Sequence, residues 1–156
     1  MTTRRGGLAV APCGAGLLVL LALLAAARGG EAATVQVRAE VILASNQGSG
    51  VDERLSKIAK QLVEAFKGYS RYDLVSTHSG DAQVAQPWRA ALPGERTFEV
   101  TPTAVSEGSY LLQVRVLGPT GQQAMSSNVR LPPGKIVFIG GPPHAPGVLI
   151  IALSAQ

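Results

Sequence analysis

An uninterrupted apolar run, Leu17 to Ala27 (LLVLLALLAAA), most constrains what this chain can fold into, because it takes the N-terminal segment out of the folded domain. Arg4 and Arg5 precede it, and the small-residue stretch Arg28-Gly-Gly-Glu-Ala-Ala33 follows it. Basic, apolar, then small is the order of an export signal. The run falls short of the ~20 apolar residues that a membrane-spanning helix needs. Extending it back to Leu8 crosses Pro12, Gly14 and Gly16, which are poor helix formers. Residues 1–33 are therefore expected to be a signal peptide, cut after Ala32 or Ala27. The alternative is an uncleaved N-terminal anchor. Thr3-Arg4-Arg5 hints at a twin-arginine signal, but the strongly apolar core favours ordinary secretion. The expected location is periplasmic or extracellular, with membrane contact only through the signal or anchor segment.

Residues 34–156 remain, enough for one small domain with a single core. Cys13, the one cysteine, lies before the apolar run, so this domain has no disulfide or thiolate metal site. Without Arg4, Arg5, Arg28 and Glu31 the domain carries 11 basic and 9 acidic residues, a net charge of +2. The signs are interspersed and form no basic block, which argues against a nucleic-acid partner. An aromatic content of 4% also argues against base stacking.

Residues 34–44 (TVQVRAEVILA) alternate, with Val35, Val37, Ala39, Val41 and Leu43 on one face and Gln36, Arg38 and Glu40 on the other. That period of two predicts a half-buried strand. After a loop (SNQGSG, 45–50), the period changes: Val51, Leu55, Ile58, Ala59, Leu62 and Phe66 share one helical face. The spacing predicts an amphipathic helix over 51–67, started by Asp52 and Glu53, ended by Gly68, and packed on the inner face of the first strand.

Residues 71–78 read as a second strand, and 79–93 as a long connection without a period that contains Trp88. Strands are expected at 96–101, 109–117, up to Leu131 and 135–139, and an apolar strand buried on both faces at 148–153. Residues 140–147 (GGPPHAPG) read as a stiff exposed loop. The expected fold class is α+β: one amphipathic helix packed on a mostly antiparallel sheet, in the order β-α-β and then a β-meander of about five strands.

No catalytic signature emerges. The strand–loop–helix unit ILASNQGSGVDERL lacks a Gly-Lys-Ser/Thr sequence, and Asp52 and Glu53 would repel a phosphate there. His78 and His144 stand in no metal-ligand spacing, although a site shared with Asp73 or Asp81 is conceivable. Gly48-Ser49-Gly50 is not a nucleophile elbow. A carboxylate pair drawn from Asp52, Glu53, Glu95 and Glu99 would be arbitrary. The expectation is a protein that is not an enzyme, with no cofactor, catalytic residue or metal ligand. Tyr69, Tyr72 and Trp88 offer an aromatic contact surface, or else pack over the helix end and sheet edge. Pro142, Pro143 and His144 in the Gly-Pro loop are the other candidate interaction residues.

Residues 123–153 (QAMSSNVRLPPGKIVFIGGPPHAPGVLIIAL) resemble the rhythm of secretin-type outer-membrane channel proteins: a polar strand, a Pro-Gly turn, an apolar strand ending in Gly-Gly, and a final apolar strand. The first half, with ILASNQGSGVDERL, is similar to small exported bacterial proteins of unassigned function. These features together lead to the expectation of a non-catalytic envelope protein that binds another envelope or secretion component. The alternative is a periplasmic small-molecule or glycan binder, and a hydrolase ranks last.

Overall fold

The computed structural model describes residues 33–156. The expected signal peptide and its cleavage sites lie outside the described residues, apart from Ala33. Among the described residues nine strands form: β1 (Thr34–Ser45), β2 (Gly50–Val51), β3 (Arg71–Gln83), β4 (Trp88–Leu92), β5 (Arg96–Ser106), β6 (Ser109–Leu117), β7 (Gln123–Leu131), β8 (Ile136–His144) and β9 (Gly147–Ala155). A 3-10 turn (Glu53–Leu55) and one short helix, α1 (Ala59–Ala65), lie between β2 and β3.

The strands build two sheets, not one. A five-stranded sheet has the order β2-β3-β1-β9-β8, and a four-stranded sheet the order β4-β5-β6-β7. One buried cluster joins them: Val35, Val37, Ala39 and Val41 of β1 and Leu149, Ile151 and Leu153 of β9 meet Phe98, Val100, Leu112, Val114 and Val116. This is sheet-on-sheet packing, each sheet contributing its alternate residues.

The α+β expectation is therefore corrected. Strand accounts for 64% of the described residues and helix for 8%, so the fold is β-rich. The expected β-α-β order is replaced as well, because β3 returns antiparallel beside β1. The expected meander divides: β5 to β7 join β4, which lies in the expected connection, to form the second sheet, while β8 and β9 return to the first, where β9 pairs with β1.

The helix is shorter than its periodicity predicts, and it packs on the opposite side. Gly50 and Val51 pair with Arg71 and Tyr72 of β3, which holds the start of the expected helix as strand. The carboxylate of Asp52 then accepts from the Arg54 and Leu74 amides, tying the chain to β3 before the 3-10 turn. The apolar stripe survives this: Leu55, Ile58 and Leu62 are buried together with Tyr72. They cover Ile42 and Ala44 of β1 and Ile150 and Ala152 of β9, the outer face of the five-stranded sheet, not the inner face of β1. Residues 41–44 are apolar at consecutive positions, so this end of β1 is buried on both faces.

Two stretches read as loops are strand. In the expected connection, Ser79 to Gln83 continue β3 because each pairs with a β1 residue, from Arg38 to Thr34, and Trp88 to Leu92 form β4 by pairing with β5. Gly140 to His144 continue β8, with a register break between Gly140 and Pro143. Gly147 allows the chain to turn close to β1, since a Cβ there would collide with the carbonyl oxygen of Ala44. At the β5–β6 hairpin Glu107 and Gly108 both have positive φ (49° and 68°), the two-residue primed turn that matches strand twist.

Two outcomes follow. Leu62→Ala removes a fully buried side chain beneath the helix and is expected to cost about 2–5 kcal/mol in chemical denaturation. The second concerns acid. The side-chain and amide hydrogen bonds from Arg54 hold the Asp52 carboxyl far below the usual carboxylate range. A depressed folded-state pKa stabilises fully above the unfolded value of ~3.9, and that stabilisation fades as pH falls below it. The gap in melting temperature between the protein and Asp52→Asn should hold at neutral pH and close progressively as pH is lowered below ~4. A gap unchanged in strong acid would contradict this assignment.

Candidate functional site

The residues singled out from sequence do not form one patch. Tyr72 is buried at 1% exposure, its hydroxyl donating to the Phe66 and Tyr69 carbonyls at 2.5 and 3.2 Å. Burial also pushes that hydroxyl's pKa up. Tyr69 is half-buried and packs against the same cluster under the helix. Trp88 packs against the core between the sheets, with its indole against Gly80. Tyr72 stands opposite Ala44, whereas Gly80 stands opposite Val37. These rows are about 23 Å apart at ~3.3 Å per residue.

Pro143 lies in the row of Tyr72, through Ala44 and Val148. Its carbonyl accepts from Arg96 at 3.1 Å, which ties the β8–β9 end to the second sheet. Pro142 and His144 are half-buried there, and Pro143 is exposed. His78 sits on β3, with Nε2 3.0 Å from the Ser76 hydroxyl. Among the described residues no three His, Cys, Asp or Glu side chains gather in a metal-holding group.

The Gly-rich loop after β1 is pinned by side chains. Asn46 accepts from the Ser70 amide at 3.0 Å, and the Ser70 hydroxyl donates to the Gly48 carbonyl at 2.6 Å. The Arg71 guanidinium binds Asp73 at 2.6 Å and reaches the Ser49 carbonyl at 3.3 Å. These bonds set the entry into β2.

Three features stand out on the surface. The first is a charged ladder across the outer face of the four-stranded sheet. Register places Arg89 of β4, Glu99 of β5 and Arg115 of β6 side by side. Glu99 is 1% exposed beneath the two arginines, with Oε1 2.6 Å from Arg89 Nε and Oε2 2.7 Å from Arg115 Nη2. The second contact is one of charge at poor angle: Glu99 Oε2 and Arg115 Nε have no aligned hydrogen bond. Sequence alternation puts Glu99 opposite to Phe98 and Val100, but its partners come only from register.

The second feature is a polar cleft on the outer face of the five-stranded sheet, beyond the end of the helix cover. It holds about 490 Å³ between the 3-10 turn and Arg38, Glu40, Ile136 and Ser154. Across Arg38 and Gln156 it meets a depression of about 370 Å³ lined by Gln36, Ser79 and Asp81.

The third is the outer edge of β7. This strand ends the four-stranded sheet, and among the described residues no strand pairs with its far side. Its side chains are exposed except for half-buried Met125 and Val129, which pack on the core, and buried Leu131.

No family model, no curated protein and no solved structure matches the chain.

The ladder makes a stability prediction. Glu99→Gln leaves two arginines without their countercharge. Both guanidinium groups are partly in solvent, which screens the loss below that of a fully buried pair. The expected cost is about 1–3 kcal/mol, read as a lower denaturation midpoint at unchanged slope.

Proposed function

We propose that this chain is a non-catalytic exported protein that works as an interaction or assembly module of a bacterial envelope. The observation that supports this reading best is the open β7 edge. Natural sheets blunt their edges with proline, lysine, bulges, short strands or covering elements. β4 has five residues and β2 has two. β8 carries Gly140, Gly141, Pro142 and Pro143 and a register break. β3 runs past β2 uncovered, but with Gly80 and Asp81 in that stretch, both poor strand residues. β7 (QAMSSNVRL) has one bulge, at Ala124 near its start, but from Met125 to Leu131 it runs regularly with no proline, glycine or lysine and a single charge, Arg130. An edge of this kind suits strand addition, in which main-chain hydrogen bonds supply affinity and alternate side chains supply specificity.

A second reading, a small-molecule binder, draws on the polar cleft beside Arg38 rather than on aromatic residues, since Tyr72 and Trp88 lie in different cores.

A photo-crosslinking residue placed at Asn128 of β7 and, separately, at Lys60 on the exposed side of α1 separates the two readings in native envelopes. Capture of protein from Asn128 but not Lys60 is the expected result. Silence at both, with the protein soluble and alone, would shift weight to the cleft.

A further inference from the structure

We propose that the β7 edge pairs with the β7 edge of a second copy of this chain, antiparallel and about a twofold axis through Ser127. The proposal rests on the reading of β7 as the interaction element and names its occupant.

The strand is self-complementary in this register. Ser127 is the midpoint of Met125–Val129, the regular stretch of β7 that follows the bulge at Ala124, so centring there pairs all five of these residues. Asn128 then faces Ser126 of the second copy, and Val129 faces Met125. Arg130 and Leu131 lie beyond this core, alongside the bulged end of the second copy. Arg130, the one charge, stays outside the paired core and is already held by Glu107 at 2.6 Å. The two copies of Arg130 stand about 20 Å apart along the pair, beyond the ~8–10 Å screening length. On the core side, Met125 and Val129 are half-buried against the cluster between the sheets. Pairing each with its counterpart extends that apolar row across the axis. On the outer side Ser126 and Asn128, both exposed, form neutral polar pairs. The result is a closed twofold dimer in which two four-stranded sheets become one of eight strands, and the β7 edge disappears.

The test uses the whole protein purified from its host, with Cys13→Ser to remove the native thiol. Sedimentation should give a dimer. Ser127→Cys should form a disulfide-linked dimer under mild oxidation, because residues facing each other across antiparallel strands lie within disulfide reach. Ala124→Cys should not, since the two cysteines would be about 20 Å apart. Lysines at both Ser126 and Asn128 face each other across the axis and should weaken the dimer at least about tenfold without changing the circular dichroism spectrum. Ser126→Glu with Asn128→Lys should restore it.

A monomer in sedimentation, or equal crosslinking through Ala124→Cys and Ser127→Cys, overturns the self-pairing. If the monomer still captures another envelope protein from Asn128, the interaction reading survives and only the occupant is wrong. If it captures nothing, both fall.

Discussion

The rest of the domain is organised around the double burial of β1. Its inner residues Val35, Val37, Ala39 and Val41 hold the second sheet, and Ile42 and Ala44 on its other face hold the helical segment. β3 and β9 flank it, so its backbone is hydrogen-bonded on both sides as well. β9, its neighbour, also supplies several buried residues to both cores, whereas β3 reaches them only near its ends, with Tyr72 in one and Ala82 in the other. Hydrophobic burial is non-directional, but the ladder is not. The two together fix which residues face the helix and which face the second sheet, because a one-residue slip would exchange the two sets.

The second sheet has no such cover. Its inner face joins the shared core, and its outer face is open to solvent, where a charged side chain would ordinarily stay hydrated. Glu99 is shielded there by its neighbours rather than by a layer of structure. The arginines from β4 and β6 lie over it and connect three strands across their shared face. The five-stranded sheet is finished differently, with the helix over one part of its outer face and the polar cleft over another.

Local periodicity showed what was locally determined. The alternation of β1, the apolar continuity of residues 148–153 and the stripe at Leu55, Ile58 and Leu62 are properties of neighbouring residues, and they are seen in the structure. The division into two sheets was not legible, because inner-face alternation reads the same whichever strand lies beside it. Ser79 to Gln83 have weak strand propensity and become strand only through pairing with β1. The helical period was real, but the pairing of Gly50 and Val51 with β3 overrode it at its start. The surface features followed the same division. Glu99's outward direction could be read from Phe98 and Val100, whereas Arg89 and Arg115 reach it through register alone. Tyr72 could not be told from a surface tyrosine, because burial and the Phe66 carbonyl decide its place.

The pairing of β1 with β9 has a consequence for when the domain can form. Val37 pairs with Ala155, so the strand that completes the central ladder is the last of the nine to emerge. Contacts this distant in sequence make folding slow, since the loop between them must close before they contribute. Until then the clusters on both faces of β1 lack the residues that β9 supplies, among them Ile150 beside Ile42 and Ile151 beside Val41. The shared core can therefore be completed only once residues 147–155 are available to β1.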